Sequence, residues 1–86
     1  MFLHIGNGKS VRKKDIIGIF DLDTATITKT GKDFINRMQR QGDVEYNDDD
    51  LPRSFVLVED DKKYKVILSR ISSKGLTARA TEQNYE

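Results

Sequence analysis

The residues best placed to do chemistry are two aspartates at alternate positions behind an apolar run, in Phe20-Asp21-Leu22-Asp23-Thr24. A carboxylate nucleophile followed by a second carboxylate that handles the leaving-group proton is the arrangement of phosphatases that form an aspartyl phosphate. That chemistry needs a Mg²⁺ site and a doubly wound sheet several times this length. Thr24 also falls one position early for it. The sequence therefore reads Asp21 and Asp23 as ending a strand and solvating a loop.

Three other constellations fail on spacing. Gly6-Asn7-Gly8-Lys9-Ser10 has the Gly-Lys-Ser end of a phosphate loop, but the motif's first glycine would fall at Leu3, and no long helix follows to receive a phosphate. A hairpin turn explains the same residues. Asp48-Asp49-Asp50 lacks the alternating ligands, central glycine and closing glutamate of a calcium loop, so it reads as a solvated acidic loop or an acidic interface patch. His4 is the single histidine and cysteine is absent, so the chain holds neither a multi-histidine site nor a thiolate ligand. No catalytic residue, cofactor or metal site is expected, and His4 is read as structural.

Basic residues remain. Arg12, Lys13, Lys14, Arg37, Arg40 and Arg53, with the stretch from Lys62 to Arg79, could hold phosphates through charge-assisted hydrogen bonds and counterion release. Their order along the chain carries more information than the formal net charge of +1. Residues 1–40 hold eight Lys or Arg against Asp15, Asp21, Asp23 and Asp33, a surplus of +4. Residues 41–61 reverse it, with eight acids against Arg53 alone, giving -7. Residues 62–81 carry six bases and no acid, and Glu82 and Glu86 remove two charges. The blocks either neutralise each other within a subunit or mate across a subunit interface and leave a basic face for a polyanion.

The elements that must position these residues are short. Phe2, Leu3 and Ile5, the turn Gly6-Asn7-Gly8 and Ser10-Val11-Arg12 make a hairpin, and residues 15–20 form a third strand rich in β-branched and aromatic residues. Residues 21–30 are polar and read as loop. A helix follows, with Thr30 and Asp33 at capping-box spacing, Phe34, Ile35 and Met38 on one face, an Asp33/Arg37 pair, Arg40 beside Arg37, and Gly42 as the stop. Residues 43–52 form an acidic loop ending in Pro52. Residues 54–59 and 64–68 are two strands around a polar hairpin connection. A short helix starts at Ser72 with Ile71 and Leu76 as a hydrophobic staple. The sum is an α+β fold, a small antiparallel sheet of about five strands with one central helix and a short C-terminal helix. Residues 1–80 are expected to be one domain, and 81–86 a flexible tail.

The chain has 86 residues, of which 34% are charged and 36% belong to the AVILMFWYC set, and its mean hydropathy is -0.64. Such a domain has a thin core and is marginal alone. With no disulfide available, self-association is the common remaining source of stability. The longest apolar run, Ile16-Ile17-Gly18-Ile19-Phe20, is far short of the roughly 20 residues that span a bilayer. Residues 1–5 lack the features of a signal peptide, so a cytoplasmic protein without a membrane partner is expected.

Four blocks in order, Met1-Phe2-Leu3-His4-Ile5-Gly6, Lys14-Asp15-Ile16-Ile17-Gly18-Ile19-Phe20-Asp21, Pro52-Arg53-Ser54-Phe55-Val56-Leu57-Val58 and Leu68-Ser69-Arg70-Ile71-Ser72-Ser73-Lys74-Gly75-Leu76, resemble the RemB branch of the RemA/RemB extracellular-matrix regulators of Gram-positive bacteria. The resemblance covers nearly the full length. It implies a non-enzymatic cytoplasmic protein. RemA members are DNA-binding transcriptional regulators of biofilm-matrix genes that assemble into symmetric rings and hold DNA with outer-surface arginines. Arg53 heads its strand as an arginine does in RemA. The RemA arginine ahead of the third strand falls near Lys14 or Asp15, and the RemA arginine-rich segment before Arg53 is replaced here by Asn47-Asp48-Asp49-Asp50-Leu51-Pro52.

Two functions follow as expectations. The first is a homo-oligomeric regulator, ring-like, that binds double-stranded DNA with Arg12, Lys13, Lys14, Arg37, Arg40 and Arg53 as sequence-tolerant phosphate contacts. The second is an oligomeric interaction module, or the partner of another regulator, that does not touch DNA.

Overall fold

The computed structural model describes residues 1–46 and 48–82. Strands β1 (Phe2–Gly6) and β2 (Lys9–Arg12) form a hairpin. Asn7 (φ 48) and Gly8 (φ 79) make its two-residue turn, both in the left-handed region that such a tight connection requires. A single 3₁₀ turn, Lys13–Asp15, leads into β3 (Ile16–Asp21). Then come the one-turn helix α1 (Leu22–Ala25), the long helix α2 (Lys29–Arg40), β4 (Val44–Glu45), β5 (Ser54–Asp60), β6 (Lys63–Ser69) and α3 (Ser73–Glu82). The larger sheet has the order β3-β5-β6-β4, antiparallel except for β4, which runs parallel to β6.

This is the expected α+β architecture, with three short elements the sequence reading lacked: the 3₁₀ turn, which takes Asp15 out of the expected third strand, α1 and β4. Asp21 ends β3 as foreseen, but it then caps α1 by accepting a hydrogen bond from the Thr24 amide at 3.0 Å, and Asp23 lies in the first turn of that helix, so a helical turn stands where loop was expected. The acidic loop begins with β4, whose pairing starts where the Val66 amide donates to the Asp43 carbonyl at 2.8 Å. One turn and two residues are too short to show periodicity.

β5 explains the layering. Its residues alternate between the sheet's faces, and because both faces are covered the strand reads as a continuous apolar run. Val56 and Val58 face the hairpin and α3, in a core with Leu3, Ile5, Val11, Ile67 and Leu76. Phe55 faces the other way, with Met38 and Val66, against α1 and α2. Ile71 packs on the cluster that holds Leu76, as the staple requires. The helix α3 runs on through Glu82, and residues 83–86 of the expected tail lie outside the described residues.

The start of α2 differs from its expected form. Thr28, not Thr30, is the cap, its hydroxyl accepting from the Gly31 amide at 3.0 Å. With Thr28 as the cap, Asp33 lies two residues past the N3 position that a capping box uses; it pairs with Lys29 at 3.0 Å, while Arg37 lies over the Phe34 ring, 5.9 Å from its centroid, so the Asp33/Arg37 pair does not form. The C-terminal stop is as expected, with Gly42 at φ 79.

Candidate nucleic-acid interface and its charge network

The register of the sheet determines where the basic residues fall. Asp21 opposes Ser54 at one end and Ile16 opposes Val58 at the other. Arg53 therefore sits at one end of the sheet, and Arg12, Lys13 and Lys14 at the opposite end, roughly 20 Å away for a strand of this length. Arg37 and Arg40 are carried by α2 on the face away from the hairpin. The structure thus gathers residues 12–14 into one turn and the two arginines onto one helix, without bringing the three groups onto one patch of a subunit.

Their partners differ too. Arg12 Nε bonds Asp15 at 2.8 Å. Lys13 Nζ donates to the Ala80 carbonyl at 2.6 Å, near the end of α3, where a helix favours positive charge. Lys14, Arg40 and Arg53 are exposed and make no ion pair among the described residues.

The acidic block turns inward on its own subunit. Asp43 pairs with Lys63 at 3.5 Å, and Glu45 with Lys9 at 2.8 Å and Lys65 at 3.6 Å. Arg70 takes Asp48 and Asp50, both at 3.1 Å, while the Tyr46 hydroxyl donates to the Asp50 carbonyl and closes the loop on itself. Of the two charge-pairing readings, neutralisation within the subunit accounts for these four acids. Asp49, Glu59, Asp60 and Asp61 form no ion pair among the described residues. Sequence reasoning missed Arg70, Lys9 and Lys65 as partners because sheet register alone brings them to these carboxylates.

Glu45 ties the hairpin to the main sheet, and the Lys9 hydrogen bond, helped by the charges of Lys9 and Lys65, holds its carboxyl below the ordinary value near 4.5 despite partial burial. A carboxyl whose folded pKa is depressed stabilises the fold above its unfolded pKa and loses that contribution as pH falls through the folded value. Urea midpoints of wild type and Glu45→Gln should therefore differ at pH 7 and converge as pH falls through the depressed folded value of the Glu45 carboxyl. A gap that persists at acid pH would contradict this role.

His4 is exposed on β1, its Nδ1 3.4 Å from Ser10 Oγ. No three His, Cys, Asp or Glu side chains converge as a metal site among the described residues, and no helix there is long and apolar enough to cross a membrane.

Fold and surface together define a small three-layer α+β protein in which four acids of the acidic block are paired within the subunit and the arginines and lysines left without an ion pair among the described residues are spread over separate places on its surface. Over residues 2–80 its sequence matches the RemA-like family, described as extracellular matrix regulatory protein A-like. The chain belongs to this family of regulatory proteins. A comparison with curated proteins finds no match.

Proposed function

We propose that the chain is a non-enzymatic, cytoplasmic DNA-binding regulator of matrix genes that acts as a homo-oligomer and belongs to the RemB branch of its family. The observation that supports this reading is the inward turn of the acidic block, which leaves Lys14, Arg40 and Arg53 exposed without acidic partners among the described residues. These three are the principal phosphate contacts. Arg12 and Lys13 lend charge from the turn beside Lys14. The RemB assignment rests on the four sequence blocks, and the aspartates at 48–50, where RemA carries arginines, keep the phosphate contacts away from that segment. Separation of the basic groups on a subunit is compatible with DNA binding when an assembly repeats each group around its rim.

A second reading, an interaction module that leaves DNA alone, draws on that same separation. A salt-titrated gel-shift assay with Lys14→Ala/Arg40→Ala/Arg53→Ala distinguishes the two. None of these exposed side chains is in either core, so the variant should fold. Loss of phosphate contacts should weaken binding at least about tenfold and flatten the salt dependence by about 0.9 in log–log slope per contact removed. Binding by the variant equal to wild type would place the contacts elsewhere, and absence of binding by wild type would favour the interaction module.

A further inference from the structure

The loop that carries the acidic block ends in Leu51, which is 86% exposed, the most exposed of the large hydrophobic side chains. Pro52 follows it and confines Leu51 to extended backbone, so the side chain is presented from a stiff segment at little entropic cost. Beside it stand Asp49, which makes no ion pair among the described residues, and Asp50, whose side chain is 67% exposed although it touches Arg70. The segment is an apolar knob with negative charge on its N-terminal side, and Arg53 follows Pro52 on the other.

A complementary groove lies elsewhere on the same molecule. Between the C-terminal half of α2 and the β5–β6 hairpin is an open cavity of about 520 Å³. Phe34, Leu57 and Tyr64 supply its apolar wall, and Arg37, Lys62 and Lys63 its charged rim. Asp43 also lines it and pairs with Lys63 at 3.5 Å, so the rim stays net positive. Tyr64 is 52% exposed, which leaves an aromatic face open to a partner.

Knob and groove cannot meet within one subunit. Arg70, which holds the loop through Asp48 and Asp50, follows the last residue of β6, whereas Lys63 and Tyr64 begin that strand, roughly 20 Å away. Asp48 and Arg70 also line a small cavity with Ile5, Gly6 and Asn7 on the hairpin side of the sheet, and the groove opens on the α2 side. We propose that Leu51, with Asp49 and Asp50, docks into the groove of a second copy of the chain, Leu51 against Phe34, Leu57 and Tyr64, and the aspartates facing Arg37 and Lys62. Because the two surfaces differ, the contact is heterologous and propagates head to tail, closing into a ring or continuing as a filament. This inference rests on the oligomeric part of the proposed function and names the interface that would build it.

The test uses size exclusion with light scattering on wild type, Leu51→Glu, Arg37→Glu/Lys62→Glu, and a 1:1 mixture of the two variants. The substituted side chains are exposed, so each variant should keep its fold. Wild type should assemble beyond a dimer, each variant alone should run as a monomer, and the mixture should stop at a dimer, because one variant keeps its groove and the other its knob. Assembly of either variant like wild type would overturn this interface and leave the oligomeric reading standing. Monomeric variants that stay monomeric when mixed would overturn the heterologous contact, and a monomeric wild type would overturn the oligomeric reading with it.

Discussion

Replacing Gly31 by Ala should unfold much of this protein at physiological temperature. A Cβ at this position would lie 1.8 Å from the Ala25 carbonyl oxygen and 3.0 Å from Thr28 Oγ. The first is a clash with backbone, not with a flexible side-chain end, so relief requires α1 and α2 to separate. Overpacking in a well-packed site costs about 1 to 3 kcal/mol, and more where backbone must move. A loss of about 3 kcal/mol is a large part of the stability of a small domain and corresponds to a fall of about 12 °C or more in Tm. Thr30→Ala, one position earlier on an exposed face of the same helix, is the control and should be neutral or slightly stabilising. Circular dichroism melts of the pair check this, and an unchanged Tm for Gly31→Ala would mean that the α1–α2 junction is not packed as described.

The second large effect is expected at Ser69, which is 2% exposed. Its hydroxyl donates to the Ile5 carbonyl at 2.7 Å and accepts from the Ile71 amide at 3.0 Å. Ile5 lies at the irregularity in the β1–β2 ladder between His4 and Gly6, so the hydroxyl supplies a partner where the hairpin's own pairing is interrupted. Ser54 works alongside, its hydroxyl donating to the Ile71 carbonyl at 2.6 Å. Ser69→Ala removes both bonds and leaves a buried carbonyl and a part-buried amide unpaired, each costing about 1 to 3 kcal/mol. The urea-derived stability should fall by about 2 to 4 kcal/mol, and amide-exchange protection in the hairpin should fall with it. A loss below about 0.5 kcal/mol would place the docking of hairpin on sheet in apolar contact alone.

These two sites also show what the sequence could and could not disclose. The long strands β3, β5 and β6, the hairpin turn at Asn7-Gly8, the stop at Gly42 and the staple of Ile71 with Leu76 are legible because apolar runs and turn residues act locally. β4 and α1 are not, since two residues and a single turn leave no period to detect. Ser54 and Ser69 read as ordinary polar residues within strands, and only the arrival of a third layer buries them. The same holds at the surface. Each basic residue was visible as a charge, but pairing of Arg70 with Asp48 and Asp50 depends on where β6 ends relative to the loop. Four acids of the block that balances the sequence's charge bind the protein to itself, and the cations without an ion pair among the described residues are the basis of the functional reading.

The most direct test of that reading is the salt dependence of DNA binding by the wild-type protein. An arbitrary duplex of about 30 base pairs, titrated between about 50 and 200 mM salt, should be bound at the low end with an affinity that falls steeply, by about 0.9 in log–log slope for every phosphate engaged. With Lys14, Arg40 and Arg53 contributed by more than one subunit, a slope steeper than about -4 is expected. No binding at about 50 mM salt, where phosphate contacts are strong, would contradict a DNA-binding regulator.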